Sequence, residues 1–314
     1  MGAESHRDRG GQPMPKWNYV EKRFSTFLSN IELTATQKEN GQTKISSVTK
    51  CLNQAYWDSD SSTENSFAIG SWGKGTAIRP PRDVDLYFVL PSEVYWRFEG
   101  YSALSNKQSA LLQEVKSKLL GTFSRSDIKG DGPVVVAAFA SYDVEVVPAF
   151  LLDAEAQTYW VSDTKNGGSY ILTMPQSEQT AINSNDALYR GNLRPLIKMI
   201  KTWQAYCDVP IKSFHLELLA TNFISSWAFS NQGLFYYDWM CRDFFHWLTT
   251  KANSYQFRPG TFELVSVGDK WLSKATRAAD TAEAACENER DNWNALAGNG
   301  WQQIFGADIP CIAE

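Results

Sequence analysis

Apolar side chains recur at three- and four-residue spacing at Tyr19, Phe24, Phe27, Leu28 and Ile31, which predicts a first helix from Trp17. The same spacing at Ile45, Val48, Leu52 and Tyr56 predicts a second helix over 43–56. Beyond the polar stretch 58–65 the pattern changes to a short apolar run, a Gly-Ser-rich turn, and Asp83-Val84-Asp85 leading into the apolar run Leu86 to Leu90. Leu111, Leu112, Val115 and Leu119 predict a helix over 107–123, with Gly121 at its fraying end. A Gly130-Asp131-Gly132-Pro133 break ends that connection, and 134–138 and 142–147 read as two strands joined by a tight turn. Residues 151–182 mix short apolar runs with Gly167-Gly168 and Pro175, and read as a transition between lobes.

From Asp186 onward the pattern is helical. One helix runs over 186–206 with a break or kink near Gly191 and Pro195, and another over 214–229 with Ser213 as its N-cap and Glu217 near the positive end of its dipole. An Ala- and Glu-rich helix follows over 275–293, and Trp301 to Gly306 forms a terminal aromatic anchor with a Gly stop. His215 and His246 lie among large apolar residues and read as packing groups, as do the aromatic clusters 235–239 and 244–247.

Composition narrows the class. A chain of 314 residues can bury a large core and divides by length into two lobes, set here at 16–155 and 156–314. Residues 1–15 are polar and Gly-rich, and are expected to be a disordered extension with Met14 as an alternative start. No apolar run is long enough to span a bilayer and no secretory layout opens the chain, so a cytoplasmic protein is expected. Five scattered cysteines without a CxxC pair, beside three histidines, argue against structural zinc and a disulfide framework. A net charge of −5 without a dense basic run argues against nucleic acid as partner or activator.

The candidate chemistry gathers in 66–91. Residues two apart on a strand share a face, so Asp83 and Asp85 project together, and two carboxylates held that close call for a divalent cation between them. In Gly70-Ser71-Trp72-Gly73-Lys74-Gly75-Thr76, three glycines let backbone N–H groups face a phosphate, alongside two hydroxyls and a lysine. A lone DxD or a lone Gly-Ser turn is common on protein surfaces; the two in this order and spacing form the signature of DNA polymerase beta-like nucleotidyltransferases. A two-metal site needs a third carboxylate, which Glu145 or Asp143 supplies from the predicted strand over 142–147. Lys198 and Lys201 lie on one side of their helix and, with Ser213, suggest a clamp for polyphosphate. The competing reading is a solvated lysine pair and a structural cap.

In Gly70-Ser71 with Gly75-Thr76, Asp83-Val84-Asp85, 145–150 (EVVPAF), 193–203 (LRPLIKMIKTW), 213–219 (SFHLELL) and 301–310, the chain resembles the bacterial cyclic-oligonucleotide synthases of anti-phage (CBASS) operons. These are relatives of cyclic GMP-AMP synthase and oligoadenylate synthase. The resemblance implies an α+β fold, a mixed-sheet palm with flanking helices packed on a helical lobe, with nucleotides in the cleft. It implies that Asp83, Asp85 and Glu145 hold two Mg²⁺ ions, replaceable by Mn²⁺, with Asp143 as the fallback third ligand. Gly70 and Ser71 would contact the triphosphate, Thr76 would support the turn, and Lys201 with Ser213 would grip the donor triphosphate beside Lys198. The position before Pro175, linked in some relatives to base choice, is Met174 here. The implied reaction joins ribonucleoside triphosphates into a cyclic di- or trinucleotide messenger with release of pyrophosphate. A separate effector senses that product, and operon-encoded regulators are further implied partners. The rivals are a linear, oligoadenylate-like synthase and a non-catalytic nucleotide-binding protein.

Overall fold

The computed structural model describes residues 17–101 and 106–314. The expected extension over 1–15, with Met14, lies outside them. The chain opens with α1 (Val20–Ile31) and α2 (Ala35–Tyr56), then β1 (Ser66–Ala68), the single turn α3 (Gly70–Gly73) and β2 (Asp83–Leu90). Next come α4 (Ser92–Glu99), α5 (Lys107–Thr122), β3 (Asp127–Asp131), β4 (Val134–Ala138), β5 (Asp143–Asp153), β6 (Thr158–Asp163) and β7 (Ser169–Thr173). Helices α6 (Pro175–Leu188), α7 (Leu193–Tyr206), α8 (Ser213–Ser226) and α9 (Tyr237–Thr249) follow, then the hairpin β8 (Tyr255–Phe257) and β9 (Leu264–Ser266), and last α10 (Leu272–Arg290) and α11 (Asn294–Phe305). The architecture is α+β. Among the described residues no helix is long and apolar enough to cross a membrane.

The described residues divide into a sheet unit, 33–183 with 258–263, and a helical unit made of 17–32, 184–257 and 264–314. The boundary expected at 155/156 is corrected by the sheet itself, because β6 pairs with β5 and β7 with β6, which carries the unit on into α6. The first helix, α1, belongs to the helical unit.

In the sheet unit, seven strands are joined in the order β1-β2-β5-β4-β3, with β6 on the far half of β5 and β7 beyond it. Only β2 and β5 run parallel, in the register Asp83↔Asp143, Asp85↔Glu145, Tyr87↔Val147. Alternation then sorts the side chains. Val84, Leu86, Val144 and Val146 are fully buried against Val48 and Leu52 of α2 and Leu111, Val115 and Leu119 of α5. The other face carries the acids and, beyond them, a smaller cluster of Tyr87, Val147, Ala149, Tyr159 and Val161. The break at 130–133 turns out to be the turn of the β3–β4 hairpin, since Asp127–Asp131 is itself a strand.

In the helical unit, α1 packs Phe24 against Trp301 (ring centroids 5.3 Å apart) and Phe27 against Phe305 (4.8 Å). The fully buried Arg23 of α1 donates from Nε to Glu289 at 2.6 Å, and from its other nitrogens to the carbonyls of Pro310, Cys311 and Asn294 and to Asn294 Oδ1. The helix expected over 186–206 is two helices, α6 and α7, with Arg190 and Gly191 at positive φ between them. Asn192 holds the N-cap position of α7, and Asp186 accepts from the Arg194 N–H of its first turn at 2.9 Å.

Candidate active site

The acidic face is a consequence of register. In a parallel pair, directly opposed residues point to the same side, so Asp83 and Asp143 form one row and Asp85 and Glu145 the next. The third row is Tyr87 and Val147, the start of the small apolar cluster. Glu145 therefore stands between acids on one side and an apolar patch on the other. Its carboxyl is pushed up to about 7, first by burial and then by the charges of Asp85, Asp83, Asp131 and Asp143.

The Gly-Ser turn is built onto this face. Strand β1 pairs with β2 antiparallel, and the Ile69 N–H donates to the Asp85 carbonyl at 2.9 Å. That pairing brings Gly70 over Asp85. A Cβ on Gly70 would stand 1.8 Å from Asp85 Oδ2, and φ at Gly70 is +56°, so both space and backbone demand glycine. The motif's turn is a helical turn, α3, whose first N–H groups have no partner within the helix. It is pinned from below: Thr76 is fully buried with its N–H bonded to the Ser71 carbonyl at 2.8 Å, and Trp72 stacks near Tyr142 at 5.8 Å.

Helix α6 supplies two supports that the sequence reading missed. Gln179 Nε2 donates to the Ala68 carbonyl at 2.6 Å, and Glu178 pairs with Lys74 Nζ at 2.7 Å. The motif lysine is thus buried and held by an acid. Glu178 also meets Arg258 Nε at 3.3 Å, which ties in the 258–263 segment. Met174, beside Pro175, lies against Gly260 of that segment. No local signal marks Glu178 or Gln179, because their role depends on a contact about a hundred residues away in sequence.

The remaining expected residues lie in the helical unit. Lys198 pairs with Glu32, and Lys201 pairs with Glu217 at 2.5 Å with both side chains nearly inaccessible. Ser213 is not the N-cap. Lys212 holds that position without a side-chain bond, and Ser213 is the first residue of α8, its hydroxyl donating to Gln204 Oε1 at 2.8 Å. Gln204, on the last turn of α7, competes successfully for that hydroxyl. Glu217 accordingly serves Lys201 rather than only the helix dipole. His246 is also corrected: it is exposed, with Nε2 3.2 Å from Glu283, because it falls on the outer face of α9. His215 is partly buried next to Phe214, and burial lowers its pKa.

Asp83, Asp85 and Glu145 offer oxygen donors only, which suits a hard divalent cation. Burial first, and the charges of the neighbouring acids after it, raise the Glu145 carboxyl, and a bound cation would relieve the charge repulsion. Among the described residues no three acid, histidine or cysteine side chains are already drawn in around one point.

With this geometry in view, the comparisons with known proteins become decisive. The model of the Second Messenger Oligonucleotide or Dinucleotide Synthetase (SMODS) domain matches residues 19–185, more than half of the chain. The chain belongs to this family. It is a nucleotidyltransferase of the CBASS cyclase-like group. A probable cyclic nucleotide synthase of Bacillus cereus (strain VD146) is 22% identical over 277 residues, covering 77% of this chain and 81% of that protein. The CBASS oligonucleotide cyclase CdnC of Escherichia coli (strain KTE188) is 24% identical over 200 residues, 62% of either chain.

Solved structures of family members share the fold. CdnC of E. coli MS115-1, in a complex with HORMA-deltaN, superposes with a TM-score of 0.70 at 17% identity, covering 94% of this chain and 99% of that one. The Vibrio cholerae cyclic AMP-GMP synthase DncV, with a linear intermediate bound, gives 0.70 at 12% identity, covering 93% and 96%.

Proposed function

We propose that this family member joins ribonucleoside triphosphates, in the cytoplasm, into a cyclic di- or trinucleotide messenger and releases pyrophosphate. The observation that carries the proposal is the junction of two motifs at one place: Gly70 lies on the carboxylate of Asp85, and Asp85 stands opposite Glu145. A phosphate-facing turn and a trio of carboxylates are what phosphoryl transfer at a triphosphate requires.

Asp83, Asp85 and Glu145 hold two Mg²⁺ ions in this reading, with Mn²⁺ as a substitute. When bound, such ions lower the pKa of a ribose hydroxyl and offset charge on the triphosphate. The protein's own part is positioning. Ser71 and the first N–H groups of α3 receive phosphate oxygens, while Thr76, Gln179 and the Lys74–Glu178 pair keep that turn from moving. Lys198, Lys201 and Ser213 contribute cationic and hydroxyl groups to the donor triphosphate, with Glu217 fixing the Lys201 side chain beforehand. The apolar cluster of Tyr87, Val147 and Tyr159 excludes water from one side of Glu145. The product is sensed by a separate effector, and regulatory proteins of the same operon are the expected partners.

Incubation of the protein with all four ribonucleoside triphosphates and Mg²⁺ or Mn²⁺, then phosphatase and mass spectrometry, tests the proposal. A phosphatase-resistant species with the mass of two or three linked, cyclised nucleoside monophosphates is expected. Linear oligomers alone would establish the oligoadenylate-like chemistry instead. Binding of ATP with no product under any condition would leave a nucleotide-binding protein.

A further inference from the structure

The hairpin of β8 and β9 carries its apolar side chains outward. Its register sets Tyr255 opposite Ser266, Gln256 opposite Val265 and Phe257 opposite Leu264. Opposed residues share a face, so Tyr255, Phe257 and Leu264 stand together on one side, and Gln256 with Val265 on the other. Exposure gives the direction: Tyr255 is 63%, Phe257 64% and Leu264 56% exposed, against 7% for Gln256. An antiparallel hairpin with one face on a core ordinarily buries its apolar residues and leaves the polar ones in water. Here the order is reversed.

The reversal is built in. Asn222 of α8 donates from Nδ2 to Gln256 Oε1, and Gln256 Nε2 donates to Ser254 Oγ at 3.2 Å, so the buried amide is satisfied at both ends. A slip of one residue would bury Tyr255 and Phe257 but would break both bonds. The polar anchor thus holds the apolar face in solvent. Phe262, on the loop that closes the hairpin, is 74% exposed and adds a fourth large side chain. Together the four expose about 550 Å² of mostly carbon surface. Each partner in a standard protein interface gives about 800 Å², about 65% of it apolar in homodimers, so this face has the size that one copy contributes.

Charge selects the occupant. None of the strand residues 255–257 and 264–266 is charged, in a chain of net charge −5. The loop between them carries one cation and one anion, Arg258 and Glu263, paired at 3.1 Å. A nucleic acid or an anionic membrane calls for a surplus of cations beside the rings, which the hairpin lacks. A twofold axis sets a patch against itself, where any net charge meets its like, and a neutral face escapes that repulsion. We propose that the open face of this hairpin is a self-association surface, through which two copies of the chain pair face to face in a weak twofold dimer.

The test reads mass in solution, independent of whether the chain makes a cyclic product. Sedimentation velocity of the full-length protein from about 1 to about 100 μM is expected to show a reversible monomer–dimer equilibrium with a Kd of about 10 μM. Phe257→Thr with Leu264→Thr keeps strand-forming residues at exposed positions and is expected to raise that Kd at least about tenfold, with circular dichroism and Tm unchanged. Tyr255→Lys and Tyr255→Glu are each expected to be monomeric alone and to associate when mixed. Trp96→Ser, which removes an exposed ring of the sheet unit, is expected to leave the Kd as it is. A wild type that stays monomeric at about 100 μM would overturn the proposal and leave the face to a different protein. A dimer that survives Phe257→Thr with Leu264→Thr, one that is lost in Trp96→Ser, or Tyr255 variants that associate no better mixed than alone would each overturn it as well.

Discussion

Replacing Glu145 by glutamine is expected to stabilise the cation-free protein at pH 8 while removing its response to Mg²⁺. Burial and the neighbouring acids raise the Glu145 carboxyl to about 7. A glutamate in the unfolded chain titrates at about 4.3, and about 1.36 kcal/mol per pH unit over that gap gives an upper bound of about 4 kcal/mol. Glu145 is only half-buried, so solvent screening reduces this to about 1–2 kcal/mol. The sign follows from the raised value. Below about pH 4 both states are protonated and nothing is lost; as pH rises through about 7 the folded state comes to carry an unfavourable charge, so wild-type stability falls over that window. Glutamine keeps the shape without the charge. Urea titrations of both proteins in EDTA at pH 5 and pH 8 should show the variant gaining about 1–2 kcal/mol relative to wild type between the two conditions. Added Mg²⁺ should then raise the midpoint of wild type at pH 8 and leave the variant nearly unmoved. A wild type and a variant that respond identically to pH would refute the argument that the register in β2 and β5 concentrates charge on Glu145.

Three further outcomes can be checked. Asp83→Ala with Asp85→Ala should reduce pyrophosphate release from ATP by about three orders of magnitude or more with circular dichroism unchanged, and retention of the parental rate would remove both from the site. Gly70→Ala forces a Cβ into the Asp85 carboxylate and a strained φ, so it should lower stability by about 1–3 kcal/mol, depress turnover and raise the KM for ATP. Lys201→Met breaks the buried ion pair with Glu217 and should cost about 3–5 kcal/mol in urea unfolding, whereas Lys201→Met with Glu217→Leu should recover most of it. In that double variant the KM for ATP should remain elevated, which separates a triphosphate role for Lys201 from a purely structural one.

The parts of the molecule legible in the sequence are those whose signals are local. Alternation around Val84 and Leu86, and around Val144 and Val146, marks two strands buried on one face, and the same alternation puts Asp83, Asp85 and Glu145 on the other. What periodicity does not carry is the pairing that sets Asp85 opposite Glu145. Strand β3 was hidden because only Ile128 is buried among Asp127, Lys129, Gly130 and Asp131. The first eight residues of α2 lack an apolar stripe, yet a capping box, Thr34 with Gln37, announces the true start and could have been read. The short helix α4 and the strands β6 and β7 have too few residues for a period to emerge. The Lys74–Glu178 pair and the Ser213–Gln204 bond depend on contacts between elements, so residue type alone left both open.

Arg23 bears on how the chain is made. It leaves the ribosome long before the groups that satisfy it, Glu289, Asn294, Pro310 and Cys311, which follow it by 266 to 288 residues. Its helix must wait until those residues are translated. The sheet unit, continuous from 33 to 183 apart from one six-residue segment, meets no such delay and can begin to form on the ribosome. The first helix thus docks only after those distant residues have emerged, and the buried guanidinium delays closure of the helical unit until then.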